Sequence, residues 1–155
     1  MADPYERVIP PLSPHIAVSD ASAAIDFYKS AFGATELARH MAPDGKRIMH
    51  AALDINGGML MLNDEFPEYS GGKSNTPEAL GGTPVTLHLQ VKDADSVYNQ
   101  ALAAGAKVKF PLMDQFWGDR YGQVTDPFGH VWSIGAAKQK LSEEEVEKAA
   151  QAHFH

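Results

Sequence analysis

Two histidines stand at matching distances from two acidic residues. His15 lies five residues before Asp20, and His88 lies five before Asp93. An imidazole titrates near neutral pH, donates and accepts hydrogen bonds and ligates metals, so such a pair could bind a polar ligand, move a proton or hold an ion. The bland alternative is two sheet histidines bonded to their neighbours. A metal would need a third protein ligand, and His50 is the residue placed to be one, although it also reads as a half-buried strand residue. A second cluster, Trp117, Asp119, Arg120 and Tyr121, lies on a Gly-flanked loop before a strand. Aromatic rings beside one arginine suit a flat or anionic ligand through stacking and a forked hydrogen bond. The alternative is a loop plug in which Trp117 packs and Arg120 pairs with a nearby acid. His15, His50, His88, Trp117, Arg120 and Tyr121 form the candidate ligand-binding set, and no residue is assigned a catalytic role. His15, His88, Trp117 and Arg120 are expected to face one cavity, fit for a planar ligand with an anionic or oxygen-rich edge. Met49, Met59 and Met61 read as core packing before they read as an adaptable ligand wall.

The elements that position these residues are visible in the local pattern. After Pro14 the chain alternates, with Ile16 and Val18 on one face and His15 and Ala17 on the other, which is a strand. Asp20 is a helix N-cap, Ala21 to Phe32 reads as helix, and Gly33 ends it. Lys46–Ile55 and Gly58–Asn63 read as strands joined by the hairpin dipeptide Asn56-Gly57. The pattern then restarts: Val85–Val91 alternates, Asp93 caps, Ala94–Ala104 reads as helix and Gly105 stops it. Cap and stop are 13 residues apart in the first half and 12 in the second, and both helices end in Gly-Ala. This is an internal duplication of one supersecondary unit. Lys107–Phe110, Tyr121–Thr125 and His130–Gly135 suit the strands that complete the second copy, and Ser142 with Glu145 makes a capping box for a polar, peripheral C-terminal helix.

Three stretches resemble the vicinal-oxygen-chelate superfamily, which groups glyoxalase, bleomycin-resistance and extradiol-dioxygenase proteins. Residues 19–34, Ser-Asp-Ala-Ser-Ala-Ala-Ile-Asp-Phe-Tyr-Lys-Ser-Ala-Phe-Gly-Ala, are similar to its first strand-to-helix segment. Asp126-Pro127-Phe128-Gly129-His130-Val131-Trp132 resembles its Asp-Pro-x-Gly turn and final strand. Asp114 to Gly122 resembles the loop of its PhnB-like branch. The resemblance implies an α+β fold of two βαβββ modules forming curved sheets around a cavity. It implies one domain over 8–138, with modules 8–64 and 84–138, a linker 65–83, and a peripheral C-terminal helix in 139–155. Metal-dependent members carry a histidine on the first strand and a glutamate on the last strand of each module. The resemblance puts Ser13 and Thr86 at the histidine positions and Met61 and Ser133 at the glutamate positions, and none of these is a credible ligand for a divalent metal.

Composition narrows the classes further. The chain has 155 residues, 44% of them hydrophobic, which is enough for a real core. A net charge of −7 without a basic stripe argues against nucleic acid. The absence of cysteine removes disulfides and thiol chemistry and suits a reducing cytoplasm. No apolar run reaches the roughly 18 residues of a membrane span, and Met1 to Arg7 has no apolar signal core. The expectation is a cytoplasmic, homodimeric, glyoxalase/bleomycin-resistance-like protein that binds a small molecule and uses no metal or other cofactor. The rival is an enzyme of the same superfamily, with a shifted metal site or with His15 or His88 as an acid–base catalyst. A third class is a protein whose cavity is filled by its own side chains.

Overall fold

The computed structural model describes residues 9–154. The expected module start at Val8 and the reading of residues 1–7 lie outside them. The chain forms two units with the same strand order. The first contains β1 (His15–Val18), α1 (Ala21–Phe32), β2 (Thr35–Met41), β3 (Ile48–Ile55) and β4 (Gly58–Asp64) in a sheet ordered β1-β4-β3-β2. A 3-10 turn (Pro67–Tyr69) and the short helix α2 (Pro77–Leu80) follow. The second unit contains β5 (Thr86–Gln90), α3 (Ala94–Ala104), β6 (Lys107–Asp114), β7 (Asp119–Thr125) and β8 (Val131–Ala137) in a sheet ordered β5-β8-β7-β6. Helix α4 (Glu143–His153) ends the described chain. This is the expected α+β fold of two βαβββ modules with curved sheets.

The predicted caps form. Asp20 accepts from the Ala23 amide at 3.0 Å, and Asp93 from the Ser96 amide at 3.1 Å. Ser142 and Glu145 close both bonds of the capping box. The hairpin turn places Asn56 at φ 54° and Gly57 at φ 83°, the left-handed pair such a two-residue turn needs.

Strand β2 is absent from the local pattern. It is an edge strand with bulges at Leu37 and near Met41, so its side chains show no clean alternation. The second hairpin also differs from expectation. Strand β6 runs through Pro111 to Asp114, on a sheet edge where a missing N–H is tolerated, and only residues 115–118 form the turn.

Helix α1 packs on the first sheet, α3 on the second, and the two helices pack on each other. One core therefore joins the modules. Tyr28 and Phe32 of α1 meet Trp132 of β8 at ring-centroid distances of 5.3 and 4.7 Å. Burying a large apolar side chain of this kind contributes about 1.5–3 kcal/mol. At the centre is Asp126, only 4% exposed. Its carboxylate accepts from Tyr28 Oη at 2.6 Å, Trp132 Nε1 at 2.9 Å and the backbone amides of Phe128 and His130 at 2.9 and 3.0 Å. His130 Nε2 lies 2.8 Å from the Ala17 carbonyl, a second polar tie between modules. With the helices on one side, the opposite face of each sheet is left to other work.

Candidate functional site

The helix-free face of the second sheet is built from alternate residues of β5, β7 and β8. His88 sits directly across the parallel ladder from Ser133. Its Nδ1 is 2.7 Å from Ser133 Oγ and its Nε2 is 2.8 Å from Gln90 Oε1. An amide oxygen only accepts, so Nε2–H donates to Gln90 and Nδ1 accepts from the Ser133 hydroxyl in the neutral ring. Both nitrogens are engaged and the ring is held in one plane. Tyr121 lies beside it, with centroids 6.0 Å apart and planes 20° from parallel. Gln123 Nε2 donates to Tyr121 Oη at 2.8 Å, which orients that phenol to donate outward. Trp117 stands at 72° to Tyr121, 5.4 Å away.

The matching face of the first sheet carries a row of three imidazoles. His15 and His50 are 5.8 Å apart edge to face, and His50 and His40 are 6.0 Å apart and nearly parallel. His15 Nε2–H donates to Asn63 Oδ1 at 2.6 Å, and Asn63 Nδ2 donates to the Asp64 carbonyl at 2.7 Å. His15 faces Met61 across the parallel β1–β4 ladder, as His88 faces Ser133. The two histidines thus occupy the same place in their modules. Asp64, by contrast, turns into the core and accepts from the Ala21 and Ile48 amides at 2.7 and 2.6 Å.

The structure brings the candidate residues together in two groups rather than one. His15 joins His50, and His88 joins Tyr121 and Trp117. Within one chain, the crevice of about 450 Å³ that His88 borders is lined by residues such as Leu12, Met59 and Leu87, and not by His15. Arg120 is on the other side of its sheet. It follows Asp119 and precedes Tyr121 in a regular ladder, so parity turns it toward α3. There it donates to both carboxylate oxygens of Asp95, at 2.8 and 3.0 Å, and to Asp114 at 3.1 Å. These bonds, Asp95 first, raise the guanidinium pKa and hold the Asp95 carboxyl below its usual range. Lys138 and then Arg120 do the same for Asp114. His40, Asn63 and Gln123 belong to the two faces and carried no signal in the sequence, while Ser133 was placed there only as a position lacking a metal ligand. His40 lies on the unrecognised strand, and Asn63 and Gln123 are common polar types, of which only Gln123 stands two residues from a candidate, Tyr121.

A model of the Glyoxalase/Bleomycin resistance protein/Dioxygenase superfamily matches residues 9–134. The chain belongs to that superfamily. Among its relatives is Rv0887c of Mycobacterium tuberculosis, 56% identical over 92% of this chain and 84% of that protein. The crystal structure of TioX from Micromonospora sp. ML1 superposes with a TM-score of 0.62 at 29% identity, covering 86% of this chain and all of TioX. The PhnB protein of Bacillus cereus superposes with a TM-score of 0.62 at 19% identity over 83% of this chain and 100% of its own, which is a likeness of fold.

A metal is implied for many members of this superfamily, and the donor set here does not fit one. The residue facing His15 is Met61 and the residue facing His88 is Ser133, so neither ladder supplies a carboxylate. Both His88 nitrogens are already bonded within the chain. Among the described residues, no group of three or more His, Asp or Glu side chains is placed to hold a metal ion. What the superfamily fold retains in this chain is a small-molecule-binding architecture with polar, aromatic sheet faces. No helix among the described residues is long and apolar enough to cross a membrane.

Proposed function

We propose that this chain binds an organic small molecule against the helix-free sheet faces, without a metal, and that two copies together enclose the site. The observation that carries the reading is the matched pair of floors: His15 with Asn63 and His50 in one module, His88 with Ser133, Gln90 and Tyr121 in the other. Hydrogen bonds orient His15, Asn63, His88, Ser133, Gln90 and Tyr121, and the side chains of both floors are mostly exposed or half-buried and stand clear of the helical core. Oriented polar groups on an accessible concave surface are what a ligand site consists of. The two-copy part rests on the edges. His15 and His88 lie on β1 and β5, short edge strands whose outer sides have no strand partner among the described residues. A second copy would cover such edges and bring a β1 face over a β5 face.

Ligand-observed NMR with a set of small heterocyclic fragments tests the binding reading. Bound fragments should perturb the side-chain signals of His15, His50, His88 and Tyr121. Fragments that perturb only helix-layer residues, or none at all, would refute it. Sedimentation velocity tests the second part, where a dimer is expected and a monomer across the micromolar range would remove it.

A further inference from the structure

The floor in the second module has a feature that selects among ligands. Gly135 sits on β8 directly across the ladder from Tyr121 and two residues beyond Ser133, on the same face. A Cβ placed there would lie 3.1 Å from His88 Cε1, 3.4 Å from Gln90 Oε1 and 3.5 Å from Tyr121 Cδ2. The two rings therefore meet beside the backbone of Gly135, in space that any side chain would take. Their 6.0 Å centroid spacing at 20° is that of an offset, nearly parallel pair rather than a face-to-face sandwich. Trp117, at 72° to Tyr121, bounds one side. On the edge strand β6, Phe110 and Met113 pair with Gln123 and Tyr121, and both are about half exposed, at 54% and 55%.

The charges around this floor point the same way. Arg120 is turned away and neutralised by Asp95 and Asp114. Asp119 shares the face with Tyr121, two residues off, and Lys107 lies at the far end, opposite Thr125. The middle of the floor carries no fixed charge, and on this face the fixed charge nearest Tyr121 along β7 is the Asp119 carboxylate, which repels an anion.

The geometry points to a flat aromatic ligand without negative charge, stacked against the His88–Tyr121 ring pair, with Gly135 as the residue that leaves room for that pair. A planar π-system continues the parallel stacking of the two rings and meets Trp117 edge to face. A hydrogen-bond acceptor on its rim takes the Tyr121 hydroxyl proton. This inference rests on the reading of the helix-free faces as ligand sites.

Three probes separate the possibilities: naphthalene-2-carboxamide, its saturated decahydro analogue, and naphthalene-2-sulfonate. Binding is measured by calorimetry and by Trp117 fluorescence, since the only other tryptophan, Trp132, is 2% exposed in the core. The aromatic amide should bind about tenfold more tightly than either of the others. Gly135→Ala, at a position with an ordinary backbone conformation, should weaken the amide about tenfold while leaving the urea midpoint and the saturated analogue's affinity nearly unchanged. Trp117→Phe should abolish the fluorescence response and keep most of the heat signal. Equal affinity for aromatic and saturated amides, a preference for the sulfonate, or an indifferent Gly135→Ala variant would overturn the inference. If none of the three probes binds while other fragments perturb His15 and His50, the ligand class is wrong and the general binding reading survives. If no compound perturbs either face, that reading falls first.

Discussion

The buried Asp126 clamp sets the pose of one module against the other, and Tyr28→Phe tests it directly. The substitution removes one hydroxyl from a side chain with no exposed surface, 2.6 Å from a carboxylate that is itself almost fully buried. Ring packing against Phe32 and Trp132 is kept, and Asp126 retains three donors, so no large cavity and no orphaned group is created. The loss is one hydrogen bond to a charged acceptor, about 1.5–3 kcal/mol. Burial first, and then the charge and hydrogen bond of Asp126, raise the Tyr28 pKa well above that of a free tyrosine. A raised folded pKa makes the stabilisation complete below about pH 10, where both states keep the proton. Above that the unfolded phenol ionises and the folded one does not, so stability falls as pH rises. The stability gap between the parent and Tyr28→Phe should therefore shrink by about 1 kcal/mol between pH 10 and pH 11. Tyr98, whose pKa burial also raises, is common to both proteins and cancels. Urea denaturation followed by circular dichroism measures the gap. A gap under about 0.5 kcal/mol at neutral pH, or one that stays constant to pH 11, would refute the clamp.

Other outcomes follow from the geometry. Arg120→Gln should leave binding of any face ligand unchanged in calorimetry, because the guanidinium is held by Asp95 and Asp114 on the helix side; a large loss of affinity would place it in the site after all. Gly118→Ala should undock the segment leading to α4, because its Cβ would meet the Gln139 carbonyl at 2.6 Å and φ is +100° there. Faster proteolytic release of the C-terminal helix would show it, and an unchanged digest would contradict it. After chelator treatment and dialysis against buffered zinc, nickel, manganese or iron(II), elemental analysis should find no stoichiometric metal, given ladders that pair His15 with Met61 and His88 with Ser133.

Much of this protein could be read from its sequence alone because the signals involved are local. Asp20 and Asp93 cap their helices through an amide three residues away, and Asn56-Gly57 turns a hairpin with its own backbone angles. The alternation of Ile16 and Val18 with His15 already separates core face from open face. The repeated spacing of strand, cap, helix and stop was therefore enough to show two copies of one module and to place His15 and His88 in equivalent positions. Strand β2 escaped because an exposed, bulged edge strand has no buried face to impose a period. The direction of Arg120 depended on parity within β7, where a one-residue difference reverses the face, and on an acid 25 residues earlier in the chain. The floor at Gly135 could be recognised only once β5, β7 and β8 were paired, since His88, Tyr121 and Gly135 are distant in sequence and meet through ladder register. Capping, turns and periodicity are settled by neighbours along the chain. Which side chains share a face, and what each charge finds there, is settled by strand pairing, and pairing is a property of the folded whole.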